Sequence, residues 1–164
     1  MPSLLIVLTF VVLLIFMYLV YTIANIAVTL IKTRKRDHSM HMCVTTSGRI
    51  FYIGLTVGFV LILAGCIASV VYGITHSRHY LFVTNGINVA TVAAWIYSFQ
   101  IANIVLVGKK QMLVGRLLID YRKMKKVNIS NNNELTFVFS QQNYRFNTRW
   151  VDIMDLKRAI SRRS

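Results

Sequence analysis

Residues 50–77 read IFYIGLTVGFVLILAGCIASVVYGITHS, a run without one Lys, Arg, Asp or Glu. A hydrocarbon core of ~30 Å is crossed by about 20 apolar helical residues, so this run is long enough to span it. Lipid offers no water to the backbone, and such a span must therefore be a helix. Residues 1–31 and 79–108 share the same absence of charge. The three runs predict transmembrane helices over about residues 4–31, 50–73 and 81–107, together a membrane domain over 1–108. The first run does not read as a cleaved signal: no Lys or Arg precedes it, and its apolar stretch is far longer than a signal core.

Charge placement orients the helices. Of 19 Lys and Arg, five (Lys32, Arg34, Lys35, Arg36 and Arg49) flank the first loop. Thirteen lie between Lys109 and Arg163, and only Arg78 falls between the second and third runs. The positive-inside rule then places the N-terminus outside and the C-terminus in the cytoplasm of a plasma-membrane, multi-pass protein. A formal charge of +14 would point to nucleic acid in a soluble chain. Topology and anionic head groups account for it here, at about 1 kcal/mol per cation near the surface, and no nucleic-acid partner is expected. Arg34, Lys35 and Arg36, and the basic step Arg122, Lys123, Lys125 and Lys126, are the expected contacts for anionic lipid or an acidic partner face.

The middle helix carries Gly54, Gly58, Gly65, Ser69 and Gly73 on one helical face. Small residues let helix backbones approach closely in lipid, so this face is the expected packing or partner interface, toward a membrane-protein partner or a second copy. Polar stripes recur on the other two helices: Thr22, Asn25 and Thr29 on the first, and Asn88, Thr91 and Ser98 on the third. Such groups should face protein or water. No acid, base or histidine lies within a predicted span, which argues against proton-coupled transport, pumping and voltage sensing.

From residue 109 the pattern alternates. Gln111 to Ile119 reads as a strand interrupted at Gly115, followed by the basic step into Val127 and Ile129. Asn131 to Asn133 signals a turn, Glu134 to Ser140 a third strand, and Tyr144 with Phe146 a fourth. Residues 150–162 read as an amphipathic helix, acidic at its start and basic at its end. The expected fold is thus a membrane protein of three transmembrane helices followed by a small cytoplasmic α+β domain over 109–164, with about four antiparallel strands and a C-terminal helix.

The order Leu118-Ile119-Asp120-Tyr121, a basic step into Val127-Asn128-Ile129, a hairpin, the aromatic strand Tyr144-Arg145-Phe146 and a closing helix resembles the bacterial PH-like group of low-GC Gram-positive membrane proteins. The tail has room for fewer strands than a full barrel of that group. The resemblance implies a scaffolding or accessory module rather than an enzyme. In layout alone, the chain is also similar to viral matrix-type membrane proteins, which place a β-rich basic endodomain after three helices.

No catalytic residue is predicted: there is no phosphate loop, and the five acids are too scattered for an acid–base pair. His38, His41 and Cys43 combine soft-metal donors. Their spacing matches no metal-site template, so neither metal nor cofactor is expected. The function read from sequence is a non-enzymatic accessory or scaffolding subunit of a membrane complex. The alternative is a small oligomeric channel lined by the polar stripes of helices one and three.

Overall fold

A computed structural model describes residues 2–76, 79–130 and 133–161. Arg78, Asn131, Asn132, Arg162 and Arg163, which entered the charge and turn readings, lie outside the described residues. The chain forms two compact units, one of Met1–Asn25 with Tyr52–Phe99 and one of Ile26–Phe51 with Gln100–Ser164.

The first unit is helical. Helix α1 runs Pro2–Arg36 and α2 runs Thr46–Thr75, and both are long and apolar enough to cross a membrane. Helix α3 spans His79–Ile101. α1 outlasts its apolar run by five residues because Lys and Arg are good helix formers. Arg34, Lys35 and Arg36 also offset the negative end of the helix dipole. α2 starts at Thr46 because Thr45 caps it, its hydroxyl accepting from the Gly48 N–H at 3.1 Å.

α2 and α3 are pinned along their length. Phe59 stacks on Tyr97 with ring centroids 4.3 Å apart, and the Thr56 and Tyr97 hydroxyls lie 3.2 Å apart. Farther along, the Ser69 hydroxyl donates to the Phe82 carbonyl at 3.3 Å and Tyr72 meets the Phe82 ring edge-on.

Among the described residues, the second unit holds seven strands in two antiparallel sheets. The first sheet has the order β1 (His41–Met42), β2 (Val105–Val107), β3 (Gln111–Val114) and β4 (Leu117–Asp120). The second is β5 (Lys125–Ser130), β6 (Glu134–Phe139) and β7 (Gln142–Asn147). A 3₁₀ turn, Tyr121–Lys123, links the sheets, and α4 (Ile153–Ser161) closes the chain.

Residue alternation sorts the sheet faces. Val105, Val107, Met112, Val114 and Ile119 share a core with Leu135 and Phe137 of β6 and Leu156 and Ala159 of α4. The opposite face presents Leu106 and Leu113, which pack with Met40 and with Leu30 of α1. α4 is short and amphipathic. Its N-cap is Asp152, whose Oδ1 accepts from the N–H groups of Met154 and Asp155 at 3.0 and 3.2 Å.

Several expected boundaries move. Residues 105–107, expected as the last turn of the third helix, form β2 instead. The apolar segment Ile104-Val105-Leu106-Val107 suits a buried strand as well as a helix, and hydrophobicity alone does not separate the two. Pairing with both β1 and β3 decides for strand. Among the described residues seven strands stand where four were expected, because β1 and β2 come from before residue 109 and the run 111–119 folds as a hairpin. The sheet unit accordingly does not begin at 109. The closing helix starts at Ile153 rather than 150, since the Trp150 carbonyl accepts from the Thr45 N–H at 2.9 Å and Asp152 supplies the cap.

The β3–β4 hairpin depends on Gly115. Its φ is +60°, and a Cβ there would lie 2.7 Å from the Ala102 carbonyl oxygen. Gly115→Ala should cost at least about 1 kcal/mol, a fall of about 2–4 °C in melting midpoint for a chain of 164 residues. Thermal unfolding of the detergent-solubilised chain, followed by Trp150 fluorescence in a Trp95→Phe background, measures this.

Candidate functional site

The small-residue face of α2 divides into a used and an unused part. Ser69 and Gly73 serve the α2–α3 hairpin: a Cβ at Gly73 would lie 2.8 Å from Phe82 Cβ. At Gly54, Gly58 and Gly65 a Cβ would meet nothing within 4 Å. The five residues predicted as one interface are therefore not equivalent. Three glycines lie bare on a helix whose neighbouring side chains Ile53, Val57, Leu61 and Ile62 are all exposed.

The buried small-residue face that the sequence reading missed is on α3. Gly86, Ala90, Ala94 and Ser98 recur every fourth residue and are all buried. A Cβ at Gly86 would lie 3.2 Å from Val70 Cγ2 and 3.3 Å from the Cys66 carbonyl. The signal is the same small-xxx-small spacing, interleaved on that helix with the polar residues Asn88 and Thr91.

Two hydroxyls of the α3 polar stripe bond within their own helix. The Thr91 hydroxyl donates to its own helix at the Ile87 carbonyl, 2.8 Å away, and Ser98 to the Trp95 carbonyl at 2.9 Å. Bonds of this kind satisfy a hydroxyl within one helix. Asn88 is exposed, while Thr22, Asn25 and Thr29 are partly buried on α1.

The basic groups lie where a solvated surface would put them. Arg34, Lys35 and Arg36 end α1 exposed, Arg122 and Lys123 sit on the 3₁₀ turn, and Lys125 and Lys126 are exposed on β5. Every acid in the chain is already engaged. Asp37 Oδ1 accepts from the Ser39 hydroxyl at 2.6 Å and the Ser39 N–H at 2.9 Å, which holds its carboxyl below the usual range. Asp120 accepts from the Arg122 N–H at 2.9 Å. Glu134 pairs with Arg145, whose guanidinium keeps its proton more firmly for it. Asp152 caps α4, and Asp155 Oδ2 sits 2.7 Å from His41 Nε2.

The His38, His41 and Cys43 cluster does not converge on a metal site. Among the described residues no group of three His, Cys, Asp or Glu side chains could hold an ion. β1 turns His41 and Cys43 to the α4 side, where Cys43 is buried and its thiol donates to the Asp152 carbonyl at 3.2 Å. Burial first, then the Asp155 and Asp152 charges, push the Cys43 thiol up to about 12. A thiol so protonated is a packing group rather than a nucleophile. Tyr121, buried beside it, donates to the Gly108 carbonyl at 3.2 Å, and burial raises its phenol as well.

No protein-family model, no curated protein and no solved structure matches this chain.

The Cys43 environment gives a direct test. The thiol should resist N-ethylmaleimide at pH 8 in the folded chain and react fully after denaturation. Peptide mass spectrometry, which separates it from Cys66, reads the two states. Rapid labelling of folded Cys43 would contradict the buried, protonated assignment.

Proposed function

We propose that this chain is a non-enzymatic scaffolding or accessory subunit of a plasma-membrane assembly, docking through the bare glycine face of α2. The observation that carries the reading is the open space at Gly54, Gly58 and Gly65. Each glycine costs a helix about 1 kcal/mol relative to alanine. Gly73 and Gly86 offset that cost with close packing inside the chain; the other three have no such return unless another helix lies against them.

In this reading α3 crosses the bilayer along with α1 and α2, the N-terminus is outside, and the sheet domain is cytoplasmic. The 18-to-1 split of Lys and Arg supports that orientation. The reading keeps for the sheet domain the likeness to the PH-like group drawn from the sequence. Such a module is a docking platform, and the exposed cations would hold it against anionic lipid or an acidic partner.

A second reading keeps the scaffold role and makes the occupant another copy of this chain. Gly54 and Gly58, bare and one turn apart, favour it, since that spacing suits close contact between two identical helices.

Gly54→Leu with Gly58→Leu tests both. The leucines enter open space and improve helix propensity, so the folded chain should persist. Co-purifying membrane partners, or the dimer caught by in-membrane crosslinking, should disappear. Gly73→Leu serves as the contrast, because it should damage the α2–α3 hairpin itself. Full recovery of both hetero- and self-association by the double variant would sink the proposal.

A further inference from the structure

A groove of about 400 Å³ opens where α1 ends, lined by Lys32, Thr33, Arg36 and Asp37 of the helix end and by Gln111 and Leu118 of the sheet. That volume falls within the about 300–1,000 Å³ of ordinary small-molecule sites. We infer that this groove is a binding site for a phosphate-bearing head group, with Lys32 and Arg36 as its cationic ligands.

Four observations converge on this. Lys32 and Arg36 are one helical turn apart and project on one side of α1. Neither forms an ion pair among the described residues, where the only two are His41–Asp155 and Arg145–Glu134. The one acid in the groove, Asp37, is outnumbered by the two cations, and its Oδ1 is engaged by the Ser39 hydroxyl and N–H. Thr33 and Gln111 add a hydroxyl and an amide able to donate to phosphate oxygens. Two cations beside neutral donors are the chemistry that recognises a phosphodiester, the guanidinium offering paired N–H groups.

The groove is also continuous with an apolar track. Val28 lies one turn before Lys32 on the same face and is 44 % exposed, and neighbouring Ile31 is 56 % exposed. The sequence along this face therefore runs apolar, cation, cation. Leu118, 38 % exposed, supplies an apolar wall on the sheet side. A phospholipid matches that order, with acyl chains along α1 and phosphate at Lys32 and Arg36. The dipole of α1 alone would repel an anion at its C-terminus, but Arg34, Lys35 and Arg36 more than neutralise it.

This inference rests on the proposed reading only in taking α1 as a membrane-crossing helix; it does not need the glycine face. The full chain in neutral detergent is titrated with short-chain phosphatidylglycerol, and separately with inorganic phosphate, with bound ligand counted by native mass spectrometry. Saturable binding of one lipid per chain is expected. Lys32→Gln with Arg36→Gln should weaken it about thirtyfold, the loss of two surface cations. Lys157→Gln with Arg158→Gln, exposed on α4, removes the same charge elsewhere and should leave it within about twofold.

Binding restricted to the lipid assigns a membrane head group as the source. Equal, variant-sensitive capture of inorganic phosphate assigns a free phosphate. Equal weakening by both charge variants, or the absence of saturable binding to either probe, overturns the site. The Gly54→Leu, Gly58→Leu chain should bind lipid normally, so a failed partner assay and a failed lipid assay remain distinct results.

Discussion

The second unit depends on a two-residue strand. His41 and Met42 pair with Val107 and Leu106, and the Cys43 N–H adds a bond to the Val105 carbonyl at 3.0 Å. These few bonds carry the first loop onto a sheet whose other strands follow more than sixty residues later. Once β1 is in place, Met40 covers one face of the sheet with Leu106 and Leu113, and Cys43 enters the core on the other. The loop then continues to Thr45, which reaches the Trp150 carbonyl while Phe51 stacks on the Trp150 ring at 4.8 Å. The segment between α1 and α2 is in this way a structural member of the sheet unit.

Charge has a similar economy. With 19 cations and five acids, the chain cannot neutralise its basic groups internally. The acids go to local tasks: two cap short helical elements, one closes the 37–39 turn, and two pair with His41 and Arg145. The exposed cations keep their charge for solvent or lipid, and what they contribute should be screened by salt. Neither ion pair is buried enough to count as a main source of stability.

Local pattern made much of this legible in advance. The charge-free runs marked α1 and α2, alternation marked β5 and β6, and turn chemistry located the hairpin between them. β2 was hidden because three β-branched or aliphatic residues at the end of a long apolar run carry no period of their own. β1 was hidden because two residues have no pattern at all; only their partners make them a strand. The glycine face was visible as a stripe, but its division was not. Whether Gly58 is bare and Gly73 packed depends on where Phe82 falls, which is a tertiary fact. The groove at Lys32 and Arg36 was likewise beyond reach, since Gln111 and Leu118 are distant in sequence.

The chain leaves its first sheet after Met42, makes both α2 and α3, and returns as Val105, so adjacent strands are separated by the whole helical hairpin. Synthesis runs from the N-terminus at about 5–20 residues per second. β1 therefore emerges seconds before β2 can exist, and well before Trp150, Asp152 and Asp155 arrive to hold the loop. During that interval the edge of β1 and the Cys43 thiol lack their final cover. Contacts so distant in sequence are slow to form. The order of events is then imposed by topology: the helices can be made first, and the sheet unit is assembled only when nearly the last residue of α4 has been added.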